Sequence, residues 1–197
     1  MLSHTLPPSV RAILHHMSNE QEGDWSPAHN PYAIAVSQSW WAIQALLLFA
    51  SQARSAVGHE QQIYAQQIFG QLRLLRLCAD MQAKELERLG VSDVERDRLD
   101  VAIETFDKAT PGVKSARDML EHFDEYARGV GRLQQKAIHE LGLGLYEAAA
   151  LYWGGGYDPT KEQITMGPFV IAIPGALAAS EAQYQAIYAA GKAVRRA

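Results

Sequence analysis

A chain of 197 residues with 48% hydrophobic and 20% charged residues can bury one sizeable core and has an ordinary globular composition. A net charge of −4 excludes broad, charge-driven coating of duplex nucleic acid, while leaving room for a small site directed at RNA. The single cysteine, Cys78, excludes an internal disulfide framework, fits a reducing compartment and reads as a small core residue on a helix.

No basic region leads into an apolar core at the start of the chain, and Pro7-Pro8 comes early. The most apolar run, 45–50, is far below the roughly 18 residues that span a bilayer. These features predict a cytoplasmic protein without a membrane span. Residues 1–30 read as an arm, with a short helix over 8–17 ending near His15-His16 and a polar loop broken by Gly23 and Pro27. Asn30-Pro31 then signals a helix start, Asn as N-cap and Pro at the first helical position.

The first long helix is predicted over 31–57. Tyr32, Val36, Trp40, Ile43 and Leu47 share one face, while Ile34, Trp41 and Leu48 recur at seven-residue spacing nearly opposite. A helix apolar on two sides is buried on two sides, so the second seam predicts a partner chain or another helix. After Gly58-His59 a second helix is predicted over 60–89, closed by Gly90, giving an antiparallel hairpin. Ser92-Asp93-Val94-Glu95 has the form of a capping box and opens a third helix to Ala109, with Leu99, Ala102, Ile103 and Phe106 inward. Thr110-Pro111-Gly112 stops it. A fourth helix is expected over 113–128, ending at Gly129. Beyond it, Leu151-Tyr152-Trp153 and Gln163-Ile164-Thr165-Met166 flank a Gly/Asp/Pro loop and predict a β-hairpin, which 169–173 can extend. Within this loop the run Gly154-Gly155-Gly156 reads as a flexible connection, and 145–150 suits either helix or strand. Pro174 opens a last helix to Arg196. The expected fold is thus mainly all-α, an up-and-down helical bundle with a small β-hairpin inserted before the C-terminal helix. It forms one domain over 1–197: arm 1–30, bundle core 31–130, hairpin region 145–173 and final helix 174–197.

The stretch 116–126 concentrates the chemistry. It holds Arg117, His122 and the carboxylates of Asp118, Glu121, Asp124 and Glu125 within about three helical turns. On a continuous helix Met119, Phe123, Tyr126 and Val130 form an apolar stripe, with Leu120 and Ala127 beside it. Asp118 sits four residues before His122, in reach of the imidazole. The same residues allow plain surface pairs, Arg117 with Glu121 and Asp118 with His122, or a divalent-ion site from Asp118, His122 and Glu125. Arg73, Arg76, Arg88, Lys192, Arg195 and Arg196 read as solubilising charge or as a phosphate-attracting rim. Motifs for di-iron bundles, phosphate-cradling loops, dinucleotide binding and nucleophile elbows are absent.

The segment from Arg117 to His122 resembles the signature of the HEPN superfamily, an arginine, usually a polar residue, then a histidine after four to six intervening residues. Arg11–His16, Arg54–His59 and Arg132–His139 have comparable spacing, but only Arg117 is followed by the preferred polar type, Asp118, in an amphipathic helix behind a long hairpin. The resemblance covers roughly residues 31–130. It implies a compact α-helical bundle acting as a homodimer, with catalytic Arg117, Asp118 and His122 meeting their counterparts at the interface. It further implies a metal-independent endoribonuclease of toxin or defence type, without cofactor, with RNA as substrate and a cognate antitoxin or inhibitor as partner. The alternative within the same family is a catalytically silent helical dimer serving as a binding or scaffold module. In the active reading His122 moves the proton, Arg117 holds phosphate oxygens and Asp118 orients the imidazole.

Overall fold

The computed structural model describes residues 29–196, apart from the side chains of Ala116, Arg117 and Leu120. The helix expected at 8–17 and His15-His16 lie outside the described residues. The fold is mainly helical, as expected, with a small antiparallel sheet before the last helix.

Four helices make the bundle: α1 (Pro31–Ser55), α2 (His59–Arg88), α3 (Asp93–Ala109) and, from the far end of the chain, the C-terminal helix Ile173–Val194. α1 packs along α2, and the C-terminal helix packs on α1, α2 and α3. The last helix is therefore part of the bundle core rather than an appendage to a core ending at 130. Between α3 and this helix the chain inserts four shorter helices, α4 (Val113–Glu121), α5 (Phe123–Ala127), α6 (Arg132–Leu141) and α7 (Leu145–Tyr152), then strands β1 (Gly155–Asp158), β2 (Gln163–Met166) and β3 (Phe169–Ala172). In chain order the C-terminal helix is α8.

The helical periodicity accounts for the core. Ile43 and Leu46 of α1, Ile68, Leu72 and Leu75 of α2, Leu99 and Phe106 of α3, and Ile187 of α8 are fully buried. α8 approaches closely because its inner face is built from Ala176, Ala179, Ala186, Ala190 and Gly191. A Cβ on Gly191 would stand 2.6 Å from Val36 Cγ2 and 2.9 Å from Gln82 Nε2. Polar bridges fix the register. Gln82 Nε2 donates to the carbonyls of Tyr32 (3.0 Å) and Ile187 (3.3 Å), and Gln183 Nε2 donates to Leu75 O at 3.3 Å. Arg76 is buried between α2 and α3, where its Nε lies 2.8 Å from Asp107 Oδ1 and its Nη1 meets Asp80. Arg76 is thus a buried structural ion pair rather than part of a phosphate-attracting rim, while Arg88 is exposed and pairs with Glu85 at 2.8 Å.

Gly90 and Gly129 end their helices as expected, each with positive φ and the paired bonds of a Schellman motif. Val91 N donates to Leu86 O at 3.1 Å, and Val130 N to Glu125 O at 3.0 Å. The capping box at Ser92 does not form. The Ser92 side chain makes no cap bond, and the Glu95 carboxylate instead takes a charge-assisted bond from Arg98 at 3.1 Å. The segment 132–141, to which the periodicity assigned no element, is helical with only Gln134 and Ala137 buried.

The expected hairpin is a three-stranded antiparallel sheet in the order β1-β2-β3, and its first strand lies later than predicted. Residues 151–152 finish α7, and Gly155 pairs with Met166 and Gly156 with Thr165. Gly155 and Gly156 of the glycine run are strand where the run reads as loop, and a Cβ on Gly155 would stand 2.8 Å from Thr165 O. The Gln62 side chain closes the outer edge of β1: Tyr157 N donates to Gln62 Oε1 at 2.7 Å, and Gln62 Nε2 donates to Tyr157 O at 3.2 Å. Arg54 at the end of α1 holds Glu162 at 2.6 Å.

α1 also corrects the reading of the apolar run 45–50. By length and composition it is long and apolar enough to cross a bilayer, with a mean hydropathy of 1.4 over its most apolar window. Half of that window is buried inside the fold, as in a core helix. Its second seam is only partly covered: Trp41 is 54% and Leu48 55% exposed, and Leu47, assigned to the core face, also faces solvent. Gly191→Ala should destabilise the fold by ~1–2 kcal/mol, because overpacking against Val36 and Gln82 outweighs the ~1 kcal/mol gain in helix propensity. Urea unfolding checks the sign; a more stable variant would mean that α8 is not held this tightly.

Candidate functional site

The expected fourth helix is two. α4 ends at Glu121, His122 leaves helical geometry at φ −111° and ψ 34°, and α5 resumes at Phe123. The cause lies eight residues apart in the chain. In a straight helix Asp118 and Tyr126 would be separated by about 12 Å of rise. With the break, the Tyr126 hydroxyl donates to Asp118 Oδ2 at 2.7 Å.

Around that bond the chain builds a closed frame. Leu133 N donates to the Tyr126 hydroxyl at 3.2 Å. Gln134 Nε2 donates to Tyr126 O at 3.0 Å, and Gly131 N donates to Gln134 Oε1 at 3.0 Å. A Cβ on Gly131 would lie 2.6 Å from the Tyr126 ring, so only glycine fits there. The ring also faces Tyr152 of α7 at 6.4 Å between centroids. Burial and the Asp118 carboxylate push the Tyr126 phenol up to about 12. Arg132, the first residue of α6, brings Nε to 3.5 Å from the same Asp118 oxygen.

This frame redistributes the residues singled out in the sequence. Asp118 is engaged by Tyr126 and Arg132, so the expected Asp118–His122 pair is not made. The imidazole instead pairs with Glu125, 3.8 Å from Nδ1, and the histidine side chain is 52% exposed. The expected stripe also splits at the break. Met119 and Tyr126 are buried, while Phe123 is 63% and Val130 50% exposed. Arg117 has its backbone in α4 one residue before Asp118, and its side chain lies outside the described residues, as does its expected pairing with Glu121. Asp118, His122 and Glu125 do not form a metal set: among the described residues no three His, Cys, Asp or Glu side chains converge on an ion position. Cys78 is buried in the bundle and its thiol is pushed up to about 12 by burial, which leaves it a core residue.

Gly131 and Gln134 escape sequence reading altogether, Tyr126 enters it in the apolar stripe without its hydroxyl's role, and Arg132 enters only through its spacing to His139. Their signal is the pair Gly129 and Gly131, two glycines flanking Val130 and followed by Gln134, which marks a tight turn clamped by a side-chain amide.

The frame gives the annex of short helices a fixed shape and leaves the His122 imidazole, the guanidinium of Arg132 and the apolar residues Phe123 and Val130 facing out. Compared with protein-family models, with curated proteins and with solved structures, the chain matches none of them.

Tyr126→Phe keeps the ring and removes the hydroxyl, leaving Leu133 N–H and Asp118 short of a partner. The expected loss is ~1–2 kcal/mol at neutral pH. The pH dependence follows from the raised phenol: it favours the protonated, folded form, so its contribution is present below pH 10 and is lost as pH rises towards about 12. Urea midpoints between pH 8 and pH 12 should fall more steeply for wild type than for Tyr126→Phe. Parallel curves would show that this phenol does not titrate as its surroundings require.

Proposed function

We propose that the chain is a cytoplasmic helical dimer of HEPN type in which the Arg117–His122 segments of two copies form a metal-independent RNA-cleaving site, as in a toxin or defence effector with a neutralising partner. The observation that supports this is the break at His122. It leaves the imidazole exposed on the hydrogen-bonded frame, next in the chain to uncovered Phe123, and Val130 just past the end of α5 is uncovered as well. Exposed apolar residues grouped beside polar ones mark interaction surfaces. Leu145 and Tyr146 at the start of α7 extend the uncovered surface on the same annex, and Leu145 lies against Gly129.

The chemistry needs two proton carriers and one charge holder. The imidazole of one copy takes the proton from a ribose 2′-hydroxyl as the 2′-oxygen bonds to the adjacent phosphorus. The P–O5′ bond breaks, and a protonated imidazole of the second copy gives its proton to the leaving oxygen. General acid–base steps of this kind contribute roughly 10²–10⁴-fold. The Arg117 guanidinium stabilises the added charge on the phosphate oxygens. The products are a 2′,3′-cyclic phosphate and a 5′-hydroxyl. Asp118 serves here as part of the frame and not as the partner of the imidazole.

A second reading, a silent helical dimer acting as a binding or scaffold module, draws on the carboxylates at the site. Glu125 stands 3.8 Å from the imidazole and repels phosphate, while Asp124 is taken up by Arg128 at 2.8 Å.

Purified protein should be dimeric by light scattering at micromolar concentration and should cleave single-stranded RNA in EDTA. Arg117→Ala and His122→Ala should each abolish cleavage with helical content and dimer intact, since His122 is exposed and its truncation opens no cavity. Loss of cleavage in EDTA, or cleavage surviving His122→Ala, contradicts the mechanism. A dimer that cleaves no RNA favours the silent module.

A further inference from the structure

Two arginines follow the break, Arg128 and Arg132, and their surroundings differ. Arg128 is closed on itself: its Nε donates to Asp124 O at 3.1 Å and its Nη2 donates to Asp124 Oδ2 at 2.8 Å, so its charge is matched within one turn. Arg132 is as exposed, 71% against 67% for the Arg128 side chain, yet its tie to the protein is a single approach of Nε to Asp118 at 3.5 Å. That Asp118 oxygen already accepts the short bond from Tyr126. Among the described residues Arg132 pairs with no other carboxylate. The result is a guanidinium steered by a carboxylate on its Nε edge, with the rest of its fork directed to water. A guanidinium presents five donors in one plane, and a loose tie on one edge orients it while leaving a bidentate edge for an oxyanion.

The position fits a strand running past His122. The His122 amide donates to the Asp118 carbonyl at 3.1 Å, so Asp118, whose carboxylate steers Arg132, lies one helical turn before His122 in the chain. Arg132 is held there by the same frame that makes the break: Leu133 N–H, the Tyr126 hydroxyl, Asp118 and then Arg132. The Glu125 carboxylate on α5, 3.8 Å from the imidazole, would otherwise leave this face repulsive to phosphate.

We infer that Arg132 binds a backbone phosphodiester of single-stranded RNA next to the scissile one, steered by Asp118 and Tyr126. This rests on the reading of the Arg117–His122 segment as an RNA-cleaving site. The role is one of substrate binding: Arg132 holds an unreacting phosphate and orients the strand, so it acts on the bound ground state and the transition state alike.

The test uses the full-length protein with a fluorescein-labelled, 2′-O-methyl single-stranded RNA, which binds and cannot be cleaved, alongside the same sequence with free 2′-hydroxyls. Arg132→Ala should weaken binding of the 2′-O-methyl RNA about five- to tenfold at low salt and lower the salt slope by about 0.7, the value of one lost single-strand phosphate contact. On cleavable RNA it should raise KM with kcat nearly unchanged. Arg132→Lys should fall between, because the charge is kept and the fork lost. Arg128→Ala should change binding less than twofold. Arg132 is exposed at the start of α6, so circular dichroism should match wild type for each variant. If wild type cleaves RNA and Arg132→Ala binds and cleaves like Arg128→Ala, the inference falls while the cleavage site stands. A loss of kcat with KM and salt slope unchanged also overturns it. Wild type that neither binds nor cleaves overturns both.

Discussion

The Gln82 amide, donating at once to Tyr32 O on α1 and Ile187 O on α8, is the contact on which the arrangement of the long helices depends. α8 is separated from α1–α3 by the whole insertion 110–172, and nothing local tells it where to dock. Apolar burial alone would tolerate sliding along an alanine-rich face. The Gln82 and Gln183 amides, both fully buried, convert that face into one register, because any slip leaves buried amide donors without acceptors. Gly191 reinforces the choice by letting α8 sit against Val36 and Gln82 with no room for a side chain. Arg76, buried between Asp107 and Asp80, does the same for α2 and α3.

The insertion is organised by a different contact. Its short helices bury little, and the Tyr126 ring supplies their common centre, sealed by Gly131 and clamped by Gln134. The sheet then returns the chain to the bundle, tied to α1 by Arg54–Glu162 and to α2 by Gln62–Tyr157. Any ligand-facing residue on the annex is thus presented from a small rigid piece rather than from a loop, which is what positioning of a reactive side chain requires.

Residues whose fate is set by local period were legible in the sequence. The four long helices, the glycine ends at Gly90 and Gly129, and the inward placement of Leu99 and Phe106 follow from the 3.6-residue period and from capping chemistry. Residues whose fate is set by a distant partner were not. The wheel drawn through Met119, Phe123 and Tyr126 assumes a straight helix, and the Tyr126–Asp118 bond, which breaks it, spans eight residues with no periodic signal. Asp118 was assigned to the imidazole by its i,i+4 spacing, and a phenol with a shorter, buried geometry takes it instead. Gly155 and Gly156 read as loop because strand propensity disfavours glycine, while the pairing of β1 with Thr165 O leaves no room for anything larger. Arg76 read as surface charge because its i,i+4 partner Asp80 is compatible with an exposed pair, while Asp107, which buries it, is brought up only when α3 folds back onto α2.

In the proposed dimer two copies would meet at the His122 segment rather than along α1, where Trp41 and Leu48 also face solvent. Cys78 is buried with its thiol pushed up to about 12, so a spin label attaches selectively to a cysteine placed at the exposed positions Ala127 on α5 or Gln44 on α1. Electron–electron double resonance on the two singly labelled dimers measures the separation across the interface. Ala127→Cys should give the shorter distance between protomers and Gln44→Cys the longer one. A shorter distance at Gln44, or none within range at Ala127, would place the two histidines apart and contradict a shared site.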